Sequence, residues 1–396
     1  MSEAAAPLVV MLSAAHPPGD IRVVRKEGAT LAAAGWRVRH ICPAIATRGP
    51  PPARPALAGV ALAPYARAPG WRGRLLGLPA LARRAAASGA AVLHAHEPDS
   101  WFAALWAARR SGARVVIDVH EHYPSRLDTR LPAPLRPLAR AAIGAACRLA
   151  GRLADAVVVA REGLGADFAA RAERVVVVRN YVLPQPVAPR RHAAGPLTLV
   201  HAGVLGRSRG ALQMVEALAL APPGTRLRLI GRFTDDSAAA FAARAAALGV
   251  ADRIEDLGWL PQERLPAALA ECDVGLVAFQ PVDRNHRLAL PHKLFDYMHA
   301  GLPVIAPDFA PETAAVVREA GCGLLVDTAD PRAIAGAVAA LSDPARRAAL
   351  GAAGRAAAAE RFGWAAEAER LLALYRRLAP LPAAARREGE AAGRAG

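Results

Sequence analysis

Two doubly wound α/β domains of near-equal length are predicted for this chain, and three observations carry that prediction. Short apolar runs alternate with longer helical patterns from one end to the other, the signature of parallel strands joined by crossover helices. At 396 residues the chain exceeds what a single hydrophobic core usually serves. Pro184 to Pro196 carries four prolines and few apolar residues, and divides the chain near its middle.

In the first half, Leu8–Leu12 is an apolar strand, the turn-rich AAHPPGD follows, a helical pattern covers Asp20 to Ala34, and Val38–Cys42 is a second strand. Gly19 ends the first loop just before the helix, where backbone without a Cβ lets a phosphate approach closely. Many strand-to-helix turns carry such a glycine. From Pro43 to Pro69 the chain reads as loop around one short strand near Val60–Ala63. Trp71 to Arg84 is a basic segment with an apolar face, which suits a helix covering the sheet or one lying on an anionic membrane. Ala91–Ala95 is the next strand, Asp99 is placed to start a helix running to Arg109, and Arg114–Asp118 is another strand. The loops HAHEPDSW and VHEHYPS bring His94, His96, His120 and His122 to carboxyl ends of strands, where open sheets bind ligands. No further ligand motif accompanies them, so no metal site is expected, and a sugar-binding or acid–base role falls first to His120. Leu135–Ala154 reads as a basic helix, with Val157–Ala160 and Val175–Val178 as closing strands.

The predicted domains are 1–185 and 197–361, joined by a linker at 186–196 and followed by a helix at 362–379 and a polar tail at 380–396. In the second half Leu197–His201 is a strand, AGVLGRSRG its loop and Ala211–Leu220 its helix. Leu227–Ile230, Ile254–Leu257, Val274–Phe279, Val304–Ile305 and Leu324–Val326 are further strands. The loop at 203–210 is neither a Walker motif nor a G-x-G-x-x-G helix start, which argues against a simple nucleoside triphosphatase or dehydrogenase. Arg207 and Arg209 in that loop have the fork geometry to clamp a phosphate, although arginine is also this chain's ordinary surface residue. Trp364, Leu371, Leu372 and Tyr375 recur at helical spacing, so the terminal helix docks back through an apolar face.

Composition narrows the function classes. A hydrophobic fraction of 54% and a mean hydropathy of +0.19 exclude a mostly disordered chain. The net charge of +16 is uneven: up to Gln185 there are 25 Lys+Arg against 12 Asp+Glu, a net of +13, leaving +3 for the remainder. The basic first half suits an anionic partner, such as a membrane surface or an anionic glycan. Nucleic acid is not expected, because no binding motif accompanies the charge. Cys42, Cys147, Cys272 and Cys322 are far apart and form no C-x-x-C pair, so neither a disulfide framework nor a zinc site is expected and a reduced cytoplasm is the expected location. Pro7–Ala15 is short and is preceded by Glu3, so it reads as a first strand and not a signal peptide. No uncharged apolar run reaches about 18 residues, so no transmembrane span is expected.

The most informative stretch is Ala289 to Ala306, ALPHKLFDYMHAGLPVIA. Pro291 fits the first turn of a helix, and Gly301 with Pro303 ends it before the strand at Val304–Ile305. Lys293, the only lysine of the second half, adds a mobile cation to a helix start that already favours anions. Asp296 follows at i+3, so one face presents a cation and a carboxylate, a combination suited to a diphosphate and a ribose. The same spacing equally fits an ordinary surface ion pair worth about 0.2–0.5 kcal/mol.

These residues and others resemble a known family. PHKLFDYMHAGLPVIA is similar to the N-K-L-F-E-Y-M-A-x-G-x-P-V-I-A segment of the retaining group 1 glycosyltransferases of the GT-B fold. HAHEPD, DVHEHYP, GRSRG, LIGRF, DLGWLP and DVGLVAF occur in that family's order, and the similarity runs over residues 8–378. The resemblance implies two Rossmann-like domains facing a central cleft. It places Asp296 where a glutamate holds the nucleotide ribose and Arg209 where a basic residue meets the donor diphosphate. Gly19 matches the glycine loop near the diphosphate, His120 the histidine near the reacting sugar, and Trp259 and Leu260 the walls around the base. Gly203 and Arg207 of the second-domain loop, and His292, Lys293 and Leu294 of the first helical turn, complete the implied donor site. His120, Arg209 and Lys293 form the implied catalytic set. Three departures stand out: Leu288 and Val204 occupy places where many members carry a glutamate and an arginine, and Asp296 is one methylene shorter than glutamate.

The implied reaction moves a sugar from a nucleoside diphosphate sugar to an acceptor hydroxyl with retention. The donor is a substrate, and no cofactor is implied. No metal is implied either: there is no D-x-D sequence, and Asp327 and Asp330 are spaced more widely. The expected acceptor is a glycan or lipid-linked molecule of cell-surface polysaccharide or glycolipid synthesis, met in the cytoplasm or peripherally at the inner membrane face. Two rival readings share the fold: a nucleotide-sugar epimerase, and a non-catalytic nucleotide-sugar-binding protein.

Overall fold

The computed structural model describes residues 5–44, 55–127, 131–183, 187–282 and 284–382. Most of the tail expected at 380–396, and residues 45–54 of the proline-rich stretch, lie outside the described residues. The chain forms two units, one of residues 1–180 with 364–396 and one of residues 181–363.

In the first unit the strands are β1 (Leu8–Leu12), β2 (Arg37–Pro43), β3 (Ala56–Leu57), β4 (Val60–Tyr65), β5 (Val92–Ala95), β6 (Arg114–Val119), β7 (Ala156–Val159) and β8 (Val175–Val177). They form one sheet in the order β3-β4-β2-β1-β5-β6-β7-β8, parallel except for the β3–β4 pair. Val9 pairs with Val38 on one side and Val92 on the other. The central strands read as continuous Val/Leu/Ile runs because both faces are covered, and every residue of β1 is buried. The short helix α1 (Ala29–Ala33) follows a π-helix at Ile21–Gly28, and α2 (Gly70–Ala86), α3 (Pro98–Ser111) and α4 (Arg136–Leu153) pack one core with Leu12, Leu93 and Ile117.

The second unit's strands are β9 (Thr198–Leu205), β10 (Arg226–Phe233), β11 (Ile254–Asp256), β12 (Val274–Leu276), β13 (Val304–Pro307) and β14 (Gly323–Val326), all parallel in the order β11-β10-β9-β12-β13-β14. Its helices are α5 (Ala211–Leu220), α6 (Ser237–Ala247), α7 (Leu265–Ala270), α8 (Arg284–Arg287), α9 (His292–His299), α10 (Pro311–Ala320), α11 (Pro331–Ala340) and α12 (Pro344–Glu360). Two apolar clusters serve this unit, one around Val200, Phe295 and Tyr297 and one around Leu199, Val215 and Leu276. The last helix, α13 (Trp364–Leu378), belongs to the first unit. Its region is fixed there by Trp364 Nε1 donating to Thr30 Oγ1 at 2.9 Å and Trp36 Nε1 donating to the Ala379 carbonyl at 2.8 Å.

In each sheet the strand order reverses at one central strand, β1 in the first unit and β9 in the second. The crevices beyond the carboxyl ends of those strands are where open α/β sheets bind ligands.

The chain enters the second unit at Tyr181, and the part of 186–196 that is described is held by that unit rather than spanning between domains. Arg190 N–H donates to the Ala300 carbonyl at 2.9 Å, its guanidinium reaches Asp273 at 3.0 Å, and Arg347 donates to the Ala193 carbonyl at 2.6 Å. The prolines keep this stretch out of helix and sheet without keeping it from packing.

Candidate functional site

In the first unit the candidate residues gather at the loop after β1 and the carboxyl ends of β5 and β6. Glu97 organises it. Its carboxylate accepts from the backbone N–H groups of Ala14, Ala15 and His16, each at 2.9 Å, and so fixes the loop that leads to Gly19. The Glu97 side chain also closes a capping box with Ser100 at the start of α3, so the helix begins there and not at Asp99 as expected. His16 Nδ1 lies 2.9 Å from Asp20, which also caps the π-helix by accepting from Val23 N–H at 3.0 Å. Burial opposes charge on His16, but the hydrogen bond to Asp20 and the negative fields of Glu97 and Asp118 prevail and raise it to about 9.

His120 takes its orientation from below. Its Nε2 is 3.0 Å from Asp118 Oδ2, and Asp118 is gripped in fork fashion by Arg22 through Nε and Nη2, both at 2.9 Å. Burial favours the neutral acid, yet the Arg22 charge outweighs it and holds Asp118 well below the usual carboxylate range. An ionised Asp118 accepts only, so His120 donates from Nε2 and keeps Nδ1 as its other polar atom.

The remaining histidines have structural partners. His94 Nδ1 meets Tyr375 OH at 2.9 Å, His96 Nδ1 lies 3.2 Å from Asp118, and His122 bonds Ser125 and Asp167 at 2.8 and 3.2 Å. Burial keeps His94 and His96 below their ordinary range. Among the described residues one group of potential metal ligands, Glu27, His94, His96 and Asp118, has atoms within 4.8 Å of one another. Arg22 Nη2 lies 2.9 Å from both of its carboxylates and already places a cation in that cluster.

In the second unit the candidate residues gather at the carboxyl end of β9 and the start of α9. Tyr297 locks these together: its hydroxyl accepts from Ala202 N–H at 2.8 Å, and its ring lies over Gly275, where a Cβ would come within 2.3 Å of it. β9 runs to Leu205, so Gly203 is in the strand and not in the loop as expected. Its φ of +103° is a backbone state that side chains rarely adopt, and the side chain of Lys293 passes over it. Lys293 Nζ reaches His201 Nε2 at 2.8 Å, and Lys293 and Arg209 sit over the same Phe279 ring at 5.9 and 4.5 Å. Burial, then repulsion from Arg209, lowers Lys293 well below its ordinary range, while Asp296 draws it up. Arg209 lies in a short turn held by Gln280 N–H, which donates to the Ser208 carbonyl at 3.0 Å.

Other predicted donor residues are distributed less evenly. Asp296 is on α9 with His292 Nδ1 3.4 Å from its carboxylate, and it lines a small cavity with Leu265, Pro266 and His299. Leu260 packs against the unit's core, and Trp259 is 53% exposed under the Arg232 guanidinium at 5.1 Å. Arg207 turns toward Asp235 and Asp236, donating its N–H to Asp235 at 2.8 Å. The Leu294 side chain is fully buried in the core, and its N–H donates to the Pro291 carbonyl at 3.1 Å. The structure adds Glu97, His16, Asp20, Asp118 and Arg22 to the first half and His201 to the second. Of these, only Glu97 left a local signal, the E-P-D-S helix start.

Residues 19–181 match the family model of a glycosyl transferase 4-like domain, and residues 196–343 match that of glycosyl transferases group 1. A D-inositol 3-phosphate glycosyltransferase of Acidothermus cellulolyticus is 36% identical over 134 residues, which is 34% of this chain and 28% of that relative's length. Among solved structures, the sucrose-phosphate synthase of Thermosynechococcus elongatus has a TM-score of 0.75 at 21% identity, covering 94% of this chain and 99% of its own. Anabaena HepE in complex with UDP-glucose has a TM-score of 0.70 at 16% identity, covering 93% and 99%. Two family models in tandem, on two largely parallel sheets, make the chain a member of the group 1 glycosyltransferases with the two-domain, Rossmann-like GT-B fold.

Proposed function

We propose that the protein transfers a glycosyl group from a nucleoside diphosphate sugar to an acceptor hydroxyl, with retention and without a metal, in the synthesis of a cell-surface polysaccharide or glycolipid. The observation that carries this reading is the convergence of Lys293, Arg209 and the start of α9 beside Gly203 at the carboxyl end of β9. In the reaction the bond between the anomeric carbon and the diphosphate oxygen breaks, and its electron pair leaves with the diphosphate. The acceptor oxygen bonds the anomeric carbon on the same face, and its proton passes to the departing phosphate. Negative charge grows on the diphosphate, so cations set in advance around that spot lower the barrier, typically by about 2.7–4 kcal/mol per donor. Asp296 is suited to hold the ribose hydroxyls, and His120, with its orientation set by Asp118, is suited to meet the sugar.

The test is incubation of the purified protein with UDP-, GDP- and ADP-sugars, with and without an acceptor panel, following nucleotide release and product sugar. HepE's complex with UDP-glucose makes UDP-sugars the first to try. Acceptor-dependent nucleotide release supports transfer. Conversion of the donor sugar without acceptor supports the epimerase, and binding without either supports the non-catalytic reading.

A further inference from the structure

We propose that the outer face of α2 seats the first unit on an anionic phospholipid bilayer, and that the acceptor is presented from that bilayer. The acceptor part rests on the glycosyl-transfer reading; the seat itself does not. On α2 the exposed residues recur at helical spacing as Trp71, Arg72, Leu75, Leu76, Arg83 and Arg84. Trp71 is 71% exposed, Leu75 58% and Leu76 80%, so among the described residues of the unit none covers this face fully. Farther along the helix Leu81, Ala82 and Ala85 are buried in the core shared with β1 and β5, which fixes how α2 sits on the unit.

Charge names the occupant. α2 carries four arginines and no acidic residue. An arginine bias alone would leave acids in place, as the chain's second half shows with 22 Asp+Glu against 25 Lys+Arg. Arginine stems lie along an apolar surface while their guanidinium groups stay at headgroup level, and tryptophan prefers that same boundary. A phosphate-rich plane satisfies both the apolar and the cationic parts of this face at once. The Arg72 guanidinium, 5.4 Å from the Trp71 ring, sits where a lipid phosphate would meet it.

A cavity of about 300 Å³ opens at the head of the same helix, lined by Trp71, Arg74, Leu75, Asp99, Tyr123 and Arg126. Its far walls come from the loops after β5 and β6, the loops that carry Glu97 and His120. An amphiphile with its tail along Trp71 and Leu75 therefore has its head beside the first unit's half-site.

The test uses the full chain with vesicles of phosphatidylcholine alone or mixed with phosphatidylglycerol. Expected are sedimentation with the mixed vesicles at low salt, release at high salt, and no sedimentation with phosphatidylcholine alone. Trp71→Ser and Leu76→Asp change exposed residues and should leave circular dichroism unchanged while lowering the bound fraction about tenfold or more. Brominated lipid should quench part of the tryptophan emission in the native chain and less in Trp71→Phe. Equal vesicle binding by native protein and both variants overturns the seat, as does a dimer that Leu76→Asp dissolves. UDP stabilisation measured on the same samples separates the two readings: vesicle binding without a response to any nucleotide would sink the donor site and leave the seat standing, and the reverse would sink the seat alone.

Discussion

Lys293 Nζ lies 2.8 Å from His201 Nε2, and that same ring nitrogen is 3.1 Å from the Val204 carbonyl oxygen. One imidazole nitrogen cannot accept from an ammonium and donate to a carbonyl at the same time. Burial and the neighbouring cations hold His201 below its ordinary range, and burial with Arg209 depresses Lys293, so the one hydrogen between Nζ and Nε2 is shared by two groups whose charged forms are both disfavoured. The groups around Lys293 are His201 of β9, Arg209 of the following turn, Phe279 after β12 and Asp296 of its own helix.

The first prediction concerns proton linkage. A bound diphosphate raises the Lys293 pKa, so binding takes up a proton between the depressed free value and the raised bound one. Affinity therefore weakens as pH rises through that window, by up to about tenfold per unit. Calorimetry of UDP binding in two buffers of different ionisation enthalpy should show net proton uptake. In Lys293→Met that uptake should vanish.

Asp296 is expected to act through its carboxylate. Asp296→Ala should lower transfer at least roughly tenfold, about 1.4 kcal/mol of barrier, with an unchanged unfolding curve. Asp296→Asn separates hydrogen bonding from charge, and Asp296→Glu adds one methylene, giving the glutamate that the family resemblance implies at this place. Should all three variants match the native rate, the ribose role is wrong.

Glu97 is expected to matter for stability and for site geometry alike. Glu97→Ala leaves the N–H groups of Ala14, Ala15 and His16 without their carboxylate, and Ala14 is buried. Denaturant unfolding should show a loss on the order of 3 kcal/mol. A loss below about 0.5 kcal/mol would mean that the loop does not depend on this clamp.

His16 should give the fold a pH signature. Its folded pKa is raised to about 9 from an ordinary 6.5, so its contribution is complete below about pH 6.5 and is lost as pH rises through 9. Stability measured from pH 6 to 10 should fall across that interval, and His16→Gln should flatten the slope there. An unchanged slope in the variant would remove the His16–Asp20 pair as its source.

Much of the fold was legible because apolar runs bounded by turns are local. β1 was read at Leu8–Leu12 and α5 at Ala211–Leu220 with their observed ends. What failed was non-local. Asp20 to Ala34 showed a helical pattern, but the π-helix at Ile21–Gly28 buries Arg22, Lys26 and Glu27, charges that sequence alone puts in solvent. Lys26 is buried because Asn180 accepts from it at 2.8 Å, a partner 154 positions away. Proline content marked a linker at 186–196, while Asp273 and Ala300, far along the chain, hold that stretch in the second unit. The placing of Lys293 and Asp296 on one helix was readable from PHKLFDYMHAG, and both lie on α9. The supports of His120 were not, because Arg22 and Asp118 meet only across the sheet.

The most direct test of the donor site is thermal unfolding of the native chain and Lys293→Ala with UDP, GDP and ADP. At about 100 times its dissociation constant a bound nucleotide adds about 2.7 kcal/mol of stability. The account predicts that at least one of the three stabilises the native chain and that Lys293→Ala, folded and equally stable alone, requires at least about tenfold more of it, about 1.4 kcal/mol of binding. Equal stabilisation of both proteins by the same nucleotide, or none of either, would contradict it.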